Sequence, residues 1–306
     1  MLQRVIKPLR ELFRHEQWNI GIVHAPIHAF LRGGGDLPPV RWFPRAPRGQ
    51  FLADPFGFQQ NGSLYVFYEH FDYSRFNGWL VALKTDRDFA KWESHDVMPQ
   101  SVHASYPFLL EHAGQLYCIP ETQKAGEVKL YRSERLPDKW EFVATLIRGF
   151  PAVDPTIVRH DGRWWLFAVS GEQGADDQLH IWHAAELLGP WQAHKKNPVK
   201  IDKSSARPGG TPFVHEEQLY RPAQDCTRTY GGRTVIMRVT ELSKDEFAEE
   251  QAAVVAPQPD WPFADGLHTI SAVGDDLTLI DAKRYLFTFG GFRQKLSSIM
   301  RKAFSR

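Results

Sequence analysis

The sequence predicts an all-β chain, a five-bladed β-propeller with short basic amphipathic helices at both termini. Three observations carry that reading. A unit of about fifty residues repeats, a glycine turn falls at a fixed place in each unit, and an alternating aromatic-aliphatic run follows each turn.

The first unit opens as ADPFGFQQNGSLYVFYEH at Ala53, the second as SYPFLLEHAGQLYCIPET at Ser105 and the third as VDPTIVRHDGRWWLFAVS at Val153. Each has a proline at its third position, Pro55, Pro107 and Pro155, and a glycine seven residues later, Gly62, Gly114 and Gly162. Each closes on a tryptophan: Trp92, Trp140 and Trp191. A looser copy, ARPGGTPFVHEEQLYRPAQD, starts at Ala206, and a weaker one, GLHTISAVGDDLTLID, starts at Gly266. One unit reads as strand, tight turn, strand, loop, strand, turn, strand, which is one propeller blade; five copies close a ring. WNIGIV at Trp18 and VRWFP around Trp42 read as strands that complete the last blade. The strand pattern excludes a helical solenoid, and a β-sandwich does not repeat at this length. The expected organisation is an amphipathic helix over 1–17, the propeller over 18–291 and a basic amphipathic tail over 292–306.

Composition fits one soluble unit. Of 306 residues, 42% are hydrophobic and 24% charged, ordinary for a globular chain. Aromatic residues reach 13%, with ten tryptophans. Most of those rings belong to packing, yet all-β chains rich in them often stack rings on sugars. Cys118 and Cys226 are too few for a disulfide framework, and no cysteine-histidine cluster suggests zinc; no metal or cofactor is expected. The N-terminal apolar runs are broken by charges, unlike a secretory signal, and no run is long enough to span a membrane. The expected location is the cytoplasm.

The net charge of +1 conceals an asymmetry. Residues 1–15 sum to +3 and residues 292–306 to +5, which leaves −7 on the body. An acidic body argues against a nucleic-acid partner. At one end Leu2, Val5, Ile6, Leu9, Leu12 and Phe13 share a helical face; at the other, Leu296, Ile299, Met300, Ala303 and Phe304 do. Two readings stay open for each: the stripe packs on the propeller, or the helix lies peripherally on an anionic inner membrane face. The same pattern at both ends adds weight to the membrane.

In a propeller the innermost strands line a central channel. By the repeat alignment the residues opening them are Asp54, Tyr106, Asp154, Arg207 and His268. Glu69 and Glu121 share the next position, matched in the fourth unit by Gln224 and Asp225. Clustered carboxylates suit glycosidic chemistry, in which one attacks or activates water and another stays protonated to serve the leaving oxygen. Asp54 is the expected base or nucleophile, Glu121 the acid and Asp154 the residue that holds the sugar. Arg207 and Arg221 are candidates for a carboxylate or phosphate, and His268 is the alternative acid. The blander readings are an Asp-Pro that caps local backbone, glutamates that face solvent and a structural histidine. Two Asp-Pro pairs at equivalent positions, beside Tyr-Pro and Arg-Pro-Gly-Gly, favour a pocket. The GGG at 33–35 is a loop, since no Lys-Ser/Thr follows it.

The openings ADPF and VDPT resemble those of five-bladed glycoside hydrolases of families 43, 32 and 68. The resemblance implies a base or nucleophile at Asp54 and a supporting carboxylate at Asp154. The acid of those families is a glutamate in a later blade, where this chain has Gln224 and Asp225. A longer string, SYPF, PET, DPT, ARPGG, YRPAQDC, YGG and GLHT, is similar to the N-terminal domain of glucosamine inositolphosphorylceramide transferases and implies a carbohydrate-linked role. Two function classes follow, ahead of a third, a scaffold with no ligand, which the convergent polar pocket argues against. One is an enzyme that cleaves or transfers a glycosyl unit, a glycoside hydrolase or a glycosyltransferase, acting on a sugar or glycolipid in biosynthesis. The other is a non-catalytic glycan- or glycolipid-binding module that assists a glycosyltransferase. The enzyme reading leads, and hydrolase-type chemistry leads within it.

Overall fold

A computed structural model describes residues 14–33, 38–86, 92–99 and 101–287. Their strands form five antiparallel sheets, the blades of a propeller. Blade I runs outward through Gln50–Gln60, Ser63–Asp72, Asn77–Thr85 and Trp92–Asp96. Blade II follows with Ser105–His112, Gln115–Glu121, Glu127–Arg135 and Lys139–Arg148. Blade III has Ala152–His160, Arg163–Ser170, Gln178–Ala184 and Gln192–Ala193, with Lys200–Ile201 also paired to its third strand. Blade IV has Phe213–His215, Gln218–Asp225, Arg233–Leu242 and Phe247–Val255.

Blade V joins the two ends of the described chain. Ile270–Val273 and Leu277–Phe287 are followed, in space, by Arg14–Val23 and Arg41–Trp42. The pairing from Arg14 with Phe287 to Val23 with Thr278 closes the ring, as the strands at Trp18 and Trp42 predict. The expected helix over 1–17 needs one correction. Arg14 to Gln17 are strand, because their backbone completes the ladder with Leu277–Phe287. Residues 1–13 and the tail over 292–306 lie outside the described residues. Among the described residues helical structure is limited to short 3-10 turns such as Ile27–Arg32, and no helix is long and apolar enough to cross a membrane.

The turn signals work as expected in the first three blades. Asn61-Gly62, Ala113-Gly114 and Asp161-Gly162 all have two positive φ angles, as tight hairpin turns require. The proline motif has a structural cause too. The ladder slips between Ala53 and Phe56, between Ser105 and Phe108, and between Val153 and Thr156. Pro55, Pro107 and Pro155 sit in those slips, where no backbone donor is needed. The residue before each has positive φ: Asp54 at 53°, Tyr106 at 42° and Asp154 at 51°. Such strain costs of order 1–3 kcal/mol each and survives only where the surroundings enforce it. Here the three bulged residues lie in the inner strands of blades I, II and III. Apolar contacts between blades hold the ring. Phe56 of blade I packs edge-on against Tyr106 and Phe108 of blade II at 4.8 and 5.3 Å between ring centres.

Candidate functional site

The bulged aspartates and the start of blade V meet in one buried polar cluster. Asp54 is 5% exposed, Asp154 2% and His268 2%. A carboxylate from a second strand pins each aspartate by its backbone. The Asp154 N–H donates to Glu121 Oε2 at 2.9 Å, and the Asp54 N–H donates to Asp281 Oδ2 at 2.8 Å. The Thr269 hydroxyl donates to Asp54 Oδ1 at 3.1 Å.

One half of the cluster links a histidine to two aspartates. His268 Nδ1 lies 2.7 Å from Asp281 Oδ1, and its Nε2 lies 3.6 Å from Asp54 Oδ1. Trp18 stacks on the imidazole at 3.9 Å between ring centres. Burial drives the Asp54 pKa up to about 7; His268 opposes that shift, and Asp154 and Asp281 add to it. Burial acts to lower the His268 pKa, but the carboxylates of Asp281 and Asp54 outweigh it and raise the pKa above the ordinary histidine value.

The other half is charge-paired. Arg207 Nε donates to Asp154 Oδ2 at 2.6 Å, and Gln224 Nε2 donates to the same oxygen at 2.8 Å. Arg207 reaches Asp176 at 3.2 Å and the Tyr230 hydroxyl at 3.4 Å. Burial disfavours its charge, yet Asp154, Tyr230 and Glu121 together hold its pKa above the ordinary value. Arg207, Asp176 and Tyr230 are the partly exposed residues of this half. Burial, then the neighbouring Asp154 charge, pushes the Glu121 pKa well up.

The sequence-predicted residues divide clearly. Asp54, Asp154, Glu121, Arg207, Gln224 and His268 converge, and Glu121 faces the cluster rather than solvent. Glu69 is buried at its edge, 3.4 Å from His103. Burial and the nearby Asp54 and Glu121 charges raise the Glu69 pKa, while burial lowers that of His103 to about 4. With His103 neutral near pH 7, that contact is not a salt bridge. Tyr106 is fully buried, and its hydroxyl accepts the Gly210 N–H at 2.8 Å and meets the Thr156 hydroxyl at 2.9 Å. It braces the inner strands and has no surface to offer a substrate.

Arg221 and Asp225 require correction. Successive strand residues face opposite sides, so on Gln218–Asp225 they point away from the side that Gln224 faces. Arg221 is 1% exposed and is held by Glu249 at 2.6 and 3.1 Å and by the carbonyls of Ser205 and Ala206. It is a buried structural ion pair. Asp225 binds Arg233 at 2.7 Å and the Thr227 hydroxyl at 2.5 Å.

Asp281, Trp18 and Tyr230 belong to the site and are absent from the sequence-predicted set. A signal existed for Asp281: it follows Gly274 by seven residues, as Glu69 follows Gly62 and Glu121 follows Gly114. Tyr230 opens the YGG of the family-like motif string, and nothing comparable marks Trp18. Asp54, His268 and Asp281 each offer one ligand atom within 4.8 Å of the others, a donor set that suits a divalent cation.

Residues 45–260 match the family described as glucosamine inositolphosphorylceramide transferase 1, N-terminal. The chain belongs to this family. Over 205 residues it is 37% identical to glucosamine inositolphosphorylceramide transferase 1 of Oryza sativa subsp. japonica, which covers 65% of this chain and 27% of the relative. The protein of the same name from Arabidopsis thaliana is 37% identical over 206 residues, with the same coverage. The chain thus spans about a quarter of the length of the curated relatives it matches. Among solved structures it is similar to a family 117 glycoside hydrolase of Zobellia galactanivorans, with TM-score 0.54 and 15% identity over 90% of this chain and 91% of that one. An α-L-arabinofuranosidase of Podospora anserina solved with cellotriose gives TM-score 0.54 and 9% identity over 79% of this chain and 93% of that one. These two likenesses show the propeller fold.

Proposed function

We propose that the chain is a carbohydrate-active domain that cleaves or transfers a glycosyl unit of a glycolipid headgroup in glycolipid biosynthesis. The observation that carries this reading is the Asp54–His268–Asp281 unit, with an Asp54 pKa of about 7. A group with a pKa near the working pH holds and releases a proton most usefully. Asp54 takes the proton of the attacking hydroxyl or water. His268, kept basic by Asp281, supplies the proton that the leaving oxygen needs. Asp154, fixed by Arg207 and Gln224, binds sugar hydroxyls. Glu121 anchors the Asp154 backbone, which argues for His268 over Glu121 as the acid. The names of the relatives supply the glycolipid, an inositolphosphorylceramide carrying glucosamine. The basic amphipathic termini support work at the cytoplasmic face of a membrane, with the propeller as the peripheral body.

One observation favours a second reading. The blade IV position that holds an acid in the resembled hydrolases is here Gln224, an amide bound to Asp154. A non-catalytic module that presents a glycan to a glycosyltransferase needs only such binding groups. The test is turnover by the purified chain of aryl glycosides, nucleotide sugars and glucosaminyl inositol phosphate, followed by mass spectrometry. Asp54→Asn and His268→Gln are expected to cut turnover by about 10²-fold or more while sugar binding persists. Sugar binding without turnover in the unaltered chain selects the binding module.

A further inference from the structure

Beside the carboxylate cluster lies a cavity of about 540 Å³ between blades IV and V. Its size falls within the range of small-molecule sites. Three arginines line it, Arg14 from blade V and Arg228 and Arg233 from blade IV, against two acids, Asp225 and Asp265. Both acids are engaged. Asp225 binds Arg233 at 2.7 Å and Thr227, and Asp265 Oδ2 accepts the Tyr285 N–H at 2.8 Å. Arg14 stacks over the Tyr285 ring at 4.2 Å. Arg228 is exposed and has no hydrogen-bond or ion-pair partner among the described residues. The cavity thus has one more arginine than it has acids, and the uncommitted one is Arg228.

Its position connects it to the cluster. The loop from Cys226 to Gly232 is a wall shared by both. Thr227, Arg228 and Thr229 line the cavity, while the next residue, Tyr230, lies under the Arg207 guanidinium at 4.8 Å from its ring centre. Likewise Asp225 lines the cavity, and its neighbour Gln224 holds Asp154. Thr229 and Tyr285 close that side through a hydroxyl pair at 2.7 Å.

We propose that this arginine-lined cavity binds the phosphate ester of a substrate whose sugar lies in the adjoining cluster. Arginine presents paired donors that match phosphate oxygens, and Arg228 is already exposed and uncommitted. The assignment of a sugar to the cluster rests on the proposed function; the anion site itself is testable without a sugar. Two sources share the chemistry, the phosphodiester of a lipid headgroup and the diphosphate of a nucleotide sugar.

The test is calorimetric titration of the full chain with inorganic pyrophosphate, glycerophosphoinositol and uridine diphosphate. Pyrophosphate is expected to bind, with affinity that falls as salt rises. Arg228→Gln is expected to weaken it about tenfold at an unchanged melting temperature. Tighter binding of glycerophosphoinositol than of uridine diphosphate identifies a headgroup, and the reverse order a nucleotide; either supports an anion site. The proposal is overturned if no probe binds at millimolar concentration, or if binding is the same in Arg228→Gln and in the Arg14→Gln, Arg228→Gln double variant. Asp54→Asn leaves pyrophosphate binding intact, so failure of the glycosidic reading and failure of the anion site give different results.

Discussion

Asp54→Asn is expected to make the protein more stable at alkaline pH while it removes function. The folded Asp54 has a pKa of about 7 against the ordinary 3.8. Between those values the folded state keeps a proton that the unfolded chain has released. Stability therefore falls as pH rises through that window, and the full cost is present above pH 7. A shift of about three units corresponds to about 4 kcal/mol. That figure is already net of the attraction to His268; because Asp54 titrates together with its neighbours, about 2 kcal/mol is the working figure. It corresponds to a melting temperature higher by about 4 °C or more at pH 8. Near pH 4 the variant and the parent should differ little. Urea unfolding at pH 4, 6 and 8 reads the difference directly. A variant less stable than the parent at pH 8 would refute the reasoning, because it would make the carboxylate a structural cap instead of a functional charge held at a cost.

Glu249→Gln leaves the buried Arg221 without its counter-charge and should cost about 3 kcal/mol or more in denaturant unfolding, with no change in sugar or phosphate affinity. Deletion of residues 1–23 removes the strand that closes blade V, so cooperative unfolding should disappear in calorimetry. Asp281→Asn withdraws the main charge that raises the His268 pKa, and NMR titration should find that pKa lower than in the parent. Gly210→Ala places a Cβ against the Ile270 carbonyl at φ 133°, and soluble yield should drop sharply.

The ring was legible because hairpin turns and bulges leave chemical marks in sequence. Asn61-Gly62 and Asp161-Gly162 announce their turns, and Pro55, Pro107 and Pro155 mark the slips that open the inner strands. Blade IV was faint for a physical reason. Its turn is Glu216-Glu217, both at positive φ, 48° and 64°, held there by the flanking strands without a glycine. Blade V was fainter still. Asp281 follows His268 by 13 residues, whereas Glu69 follows Asp54 and Glu121 follows Tyr106 by 15, so alignment on the opening motif passes over Asp281. Of the site, the residues that share a strand position with Asp54 or Glu121 were readable. Trp18 and Tyr230 reach the cluster through ring closure and a loop, which no local pattern encodes. Arg221 and Asp225 were assigned to the wrong face, although strand alternation relative to Gln224 already separates them.

The most direct measurement is a crystal structure at pH 7 with glucosaminyl inositol phosphate soaked in. The account predicts the sugar ring beneath Tyr230, with hydroxyls in hydrogen-bond reach of Asp54 and Asp154 and the phosphate at Arg228. A ligand bound elsewhere on the propeller, with Arg207 still closed over an unchanged cluster, would contradict it.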